Sequence, residues 1–110
     1  MPDFVGYVDM DLNALLKRLS RIAYDMANLL VDKHNLLIDE RREKARLWEE
    51  CGGDSVASRD RYAQIHTLSI TTELLTVDAE IESRKIEYEL IQTIMRERVN
   101  LANATSIPLT

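Results

Sequence analysis

The 110 residues carry 14 Lys and Arg against 19 Asp and Glu, for a formal net charge of −5 and a pI near 5.0. Such a balance excludes a surface that is basic all over and leaves room only for a local basic patch, because phosphate contacts need clustered cations. With 45% hydrophobic residues but only 5% aromatics, three Gly and two Pro, the composition points to long helices in one domain at most, not to a sandwich or barrel.

In chain order, residues 1–8 contain Pro2 and Gly6 and read as an extended, oily arm through Phe4, Val5, Tyr7 and Val8. Asp9 or Asp11 can cap the first helix. Along that helix Leu12, Leu15, Leu16, Leu19, Ile22, Ala23, Met26, Leu29, Leu30, Leu36 and Leu37 recur at helical spacing, a face broader than one two-stranded seam needs. Lys33, Glu40 and Glu43 interrupt the file, which predicts a stripe drifting through Ile38 and Ala45 to Leu47 and Trp48. Residues 51–55, Cys-Gly-Gly-Asp-Ser, supply the break: a glycine in the left-handed region to end one helix, and Asp54 or Ser55 to cap the next.

The second helix is expected over about 55–103, ending before Pro108. Its seam reads Ile70, Leu74, Val77, Ile81, Arg84, Tyr88, Ile91, Met95, Arg98 and Ala102, alternating four and three without a slip. A break this short folds the two helices back on each other. The expected fold is therefore all-α: a long antiparallel two-helix hairpin of coiled-coil type over 9–103, with an arm at 1–8 and a tail at 104–110. Each helix has more apolar surface than one seam covers, so the hairpin is expected to assemble into a helical oligomer. One cysteine, no apolar run of about 18 residues and no signal-type start read as a soluble cytoplasmic chain with no membrane partner.

No motif for chemistry stands out. Neither His34 nor His66 has a glutamate three residues before it, and no phosphate loop, nucleophile elbow or paired catalytic acids occur. The expectation is a protein that is not an enzyme, with no catalytic residues, metal or cofactor. The candidate protein interface is Leu16, Leu30, Leu37, Arg84, Ile86 and Ile94. Arg84 and Arg98 must each find a carboxylate or reach the edge of the seam, and Glu80 and Glu87 flank Arg84 at spacings of four and three. Near the turn, Arg41, Arg42, Lys44, Arg46, Arg59 and Arg61 form a candidate nucleic-acid patch with Trp48 and Tyr62 as stacking rings, diluted by Glu43, Glu49, Glu50 and Asp54.

From Ala45-Arg46-Leu47 through Gly52-Gly53 to Asp60-Arg61-Tyr62, then Val77-Asp78, Lys85-Ile86-Glu87-Tyr88 and Arg98, the chain resembles the UvsY-type phage recombination mediators. The resemblance covers about the second half of the chain. It implies a hairpin that assembles into a ring, binds single-stranded DNA through the six basic residues near the turn, and contacts a recombinase and a single-strand-binding protein. The chain departs from that family in its shorter length, tighter turn and acidic balance. A likeness to small secreted hairpins with a Trp-x-Gly turn is weaker, because Glu50 stands where the motif has glycine. The leading reading is a non-enzymatic interaction module that packs against copies of itself or another helical protein, in an assembly, adaptor or inhibitor role. The alternative is the recombination mediator.

Overall fold

The computed structural model describes residues 5–53 and 55–106, and among them the chain is all-α, a helical hairpin without strands. Its helices are α1 (Val5–Val8), α2 (Leu12–Glu50), α3 (Val56–His66) and α4 (Leu68–Ser106). The chain divides into two compact units, one of Met1–Ala27 with Glu82–Thr110 and one of Asn28–Ile81.

In the first unit α2 and α4 run antiparallel, since Arg18 pairs with Glu87 and Asp25 with Arg84. Leu15, Ile22 and Ile91 form its fully buried core, with Tyr7, Leu19, Met26, Tyr88, Ile94 and Met95 packed around them. Asp11 starts α2: its Oδ1 accepts from the Ala14 amide at 2.7 Å, so one free donor of the first turn is satisfied. Where an extended arm was expected, Val5–Val8 make one helical turn. Tyr7 ties that turn to Glu87, and the Arg98 guanidinium donates to the Val8 carbonyl at 2.5 Å. Pro2 and Phe4 lie outside the described residues.

In the second unit the antiparallel pairing continues as Lys33 with Asp78 and Glu40 with Thr71. Leu47, Ala63, Thr67, Leu74 and Ile81 are buried there. The α2 stripe does not drift. Leu15, Leu19, Ile22, Met26, Leu29, Lys33, Leu36, Glu40, Glu43 and Leu47 keep one file of alternating four and three, and each is buried or half-buried. Lys33 and Glu40 hold their seam positions because each finds a polar partner across it, so the heptad needs no insertion.

α2 ends at Glu50 without a left-handed glycine; no described glycine has positive φ. Gly53 is instead a matter of space, since a Cβ there would come within 3.0 Å of the Ser58 Cβ. Ser55 caps α3 by accepting from the Ser58 amide at 3.1 Å, and Asp54 lies outside the described residues. The expected single second helix is interrupted at Thr67, whose φ of −110° and ψ of 12° leave the helical region. The buried Thr67 hydroxyl donates to the Ala63 carbonyl at 2.8 Å, the back-bonding that bends helices. α4 then runs to Ser106, past the expected end near residue 103, and Pro108 lies outside the described residues.

Candidate functional site

On α2 the seam that packs inside the hairpin is followed, one residue later and about 100° round the helix, by a second file. Leu16, Ser20, Ala23, Ala27, Leu30, His34 and Leu37 also alternate four and three, and all are exposed except the half-buried Leu37. Tyr24 and Val31 stand beside this file and are exposed as well, at 61% and 58%. None of these nine residues is Asp, Glu, Lys or Arg, in a chain that is 30% such residues. The file was only partly legible, through Leu16, Ala23, Leu30 and Leu37. The signal that completes it is the same alternation moved on by one residue.

α4 has a shorter counterpart. Leu68, Leu75 and Ile86 are exposed, Leu75 at 66%, and Thr72, Ala79 and Glu82 fall between them at the same alternation, with one carboxylate in the row. Of the expected interface residues, Leu16, Leu30 and Ile86 are thus at the surface and Leu37 is half-buried. Ile94 packs against the first unit's own core. Arg84 is half-buried, and its ion pair is with Asp25, 3.9 Å away, rather than with Glu80 or Glu87.

Glu87, which the spacing offered as a partner for Arg84, has no exposed side chain. Its Oε1 accepts from Arg18 Nε at 2.7 Å and from the Tyr7 hydroxyl. Burial, and then the hydrogen bond to the Glu87 carboxylate, raise the Tyr7 phenol above its ordinary value. Burial alone would lower the Arg18 guanidinium, but its bonds to Glu87 and Tyr7 outweigh that and raise it. The Glu87 position was readable as three beyond Arg84 and four before Ile91, a place in the seam as good as that of Tyr88.

The basic patch is mostly spent on local partners. Arg46 binds Glu43 and, at 2.8 Å, Glu50; its hydrogen bond holds the Glu43 carboxyl below the usual range. Lys44 pairs with Glu40 at 3.5 Å. Arg59 donates to the Gly53 carbonyl and lies 4.5 Å over the Trp48 ring, whose Nε1 donates to Asp60. The Tyr62 ring lies tilted against the exposed His66, centroids 4.3 Å apart, so both expected stacking rings have intramolecular partners. Arg41, Arg42 and Arg61 are exposed and make no ion pair among the described residues.

A groove of about 450 Å³ lies in the second unit between Asp32, Leu36 and Asp39 of α2 and Thr72, Glu73 and Val77 of α4. Three carboxylates line it and no cation does. Asp32 and Asp39 each fall two residues past Leu30 and Leu37, about 200° round α2, so the groove opens away from the outer leucines. Among the described residues no group of three His, Cys, Asp or Glu converges to hold a metal ion, and no helix is long and apolar enough to cross a membrane.

Fold and surface together define a class, the helical hairpin with an uncovered apolar helix face. Comparison with family models, characterised proteins and solved structures found no match.

Proposed function

We propose that this chain is a non-enzymatic interaction module that packs its outer helix faces against other helices, in an assembly, adaptor or inhibitor role. The observation that carries this reading is the second file on α2, free of Asp, Glu, Lys and Arg and exposed at six of its seven positions, beside the seam that packs inside the hairpin. Helix-to-helix recognition takes its affinity from such apolar anchors. The test is the solution mass by light scattering at low and high salt, with Leu16→Gln and Leu30→Gln combined as control. An oligomer that persists in both salts and is lost in the double variant supports the reading. A wild-type monomer that melts cooperatively, and whose solubility the double variant leaves unchanged, overturns it, because the face is then ordinary surface.

A second reading, single-stranded DNA handling of the recombination-mediator kind, draws on the exposed and unpaired Arg41, Arg42 and Arg61. It requires binding to a labelled oligonucleotide that weakens steeply with salt. It fails if Arg41→Gln with Arg42→Gln leaves that binding unaltered.

A further inference from the structure

We propose that the groove between α2 and α4 in the second unit is a docking site for a basic helix of another protein, one that carries Lys or Arg seven residues apart. This surface is separate from the outer file on α2. All its residues fall within Asn28–Ile81, and the groove opens away from Leu30 and Leu37.

The floor of the groove is apolar. Leu36 and Val77 are seam residues from opposite helices, and each is only half-buried, so the seam leaves part of both in contact with water. A trough between two antiparallel helices is where a bundle adds its third helix. Covering that floor supplies the apolar part of the contact.

The rim decides the charge of what covers it. Asp32 and Asp39 stand on the α2 side and Glu73 on the α4 side, all exposed. None of these three carboxylates makes an ion pair or a hydrogen bond among the described residues, although their neighbours do. Lys33 is taken by Asp78 at 2.7 Å and Lys44 by Glu40 at 3.5 Å. The Thr72 and Thr76 hydroxyls donate to the Leu68 and Thr72 carbonyls, so those protons are spent within α4. Apart from the Asn35 amide, the groove therefore offers an occupant acceptors and negative charge. Its complement is a row of positively charged donors, which Lys and Arg supply.

Spacing narrows the partner further. Asp32 and Asp39 are two turns of α2 apart, about 10.5 Å along its axis. A helix laid along the groove meets both with cations at i and i+7, and its residues at i+3 and i+4 fall over the apolar floor. No two of this chain's 14 Lys and Arg are seven residues apart. A second copy does not offer that pair on one helix, so the partner is a different protein.

Fluorescence anisotropy of a labelled synthetic helix of about three heptads tests this, with Lys at i and i+7, Leu at i+3 and i+4, and Ala and Gln elsewhere. The full chain is titrated into it at roughly 50 mM sodium chloride. Micromolar binding is expected, weakened about tenfold by Asp32→Asn combined with Asp39→Asn, and weakened by salt at about 500 mM. Both positions are exposed, so helicity by circular dichroism should not change. Glu89→Gln with Glu97→Gln removes the same charge from exposed positions of the first unit and should leave binding as in the wild type. Equal weakening by both pairs of substitutions overturns the proposal, since only net charge is then sensed. So does equal binding of a peptide whose lysines are five apart, or the absence of any binding at roughly 1 mM protein. Spermidine that binds as tightly as the peptide also overturns it, and makes the groove a site for a small polyamine. None of these outcomes depends on the solution mass, so the outer-file reading stands or falls separately.

Discussion

Glu87 sits where a carboxylate can remain buried only if its charge is answered, and Arg18 and Tyr7 both answer it at one oxygen. Removing it leaves a half-buried guanidinium facing an apolar core and takes away one of the two anchors described for the α1 turn, the other being Arg98 on the Val8 carbonyl. Glu87→Ala is expected to lower unfolding free energy in urea by about 2–3 kcal/mol, the lower end for a broken buried pair, since Arg18 keeps some contact with water. Tyr7 adds a dependence on alkali. Its folded pKa is raised above 10.0, so the unfolded chain loses that proton first. The stability it contributes is complete below pH 10 and is lost as pH rises through the raised value. Melts between pH 9 and about 11 should therefore fall more steeply in the wild type than in Tyr7→Phe.

At the level of elements, the unbroken α2 heptad shows how a seam tolerates polar residues. Lys33 and Glu40 would have forced a shift of register had they faced apolar groups, but Asp78 and Thr71 stand opposite them. Complementary polar pairs at seam positions fix which residues oppose which. The Gly52-Gly53 pair divides by surroundings rather than by φ. A Cβ at Gly52 meets nothing within 4 Å, whereas one at Gly53 meets the Ser58 Cβ at 3.0 Å and the Cys51 Sγ at 3.4 Å. Gly52→Ala is expected to be neutral or to stabilise by about 0.5 kcal/mol, through the unfolded chain. Gly53→Ala should destabilise by about 1 kcal/mol or more, the difference being read from paired thermal melts.

For the molecule as a whole, the densest run of charges follows the Leu16–Leu37 file in the chain. Between residues 39 and 61 the cations Arg41, Arg42, Lys44, Arg46, Arg59 and Arg61 are outnumbered by Asp39, Glu40, Glu43, Glu49, Glu50, Asp54 and Asp60. Association through that end would be screened by salt within a Debye length of about 8–10 Å. Association through the uncharged file on α2 would not. Association through that file is thus expected to give a mass that stays constant from roughly 50 mM to 1 M sodium chloride and falls in low urea, both checked by light scattering.

The sequence by itself determined the all-α hairpin, because breaker residues are scarce, one short Gly-rich break falls near the middle, and the alternation of four and three from Ile70 to Arg98 is carried by covalent order alone. It also marked Leu16 and Leu30 as surplus to one seam. Only the tertiary structure decided that Glu87 is buried rather than Tyr88's neighbour at the surface, that Arg84 answers Asp25, and that Ile94 belongs to the core. It alone decided, too, that Thr67 breaks the second helix. The reason is common to all four. Positions three and four apart are equivalent on a helical wheel, and a hydroxyl or ion has several partners within reach along the chain. The choice among them is made by what the opposing helix places there.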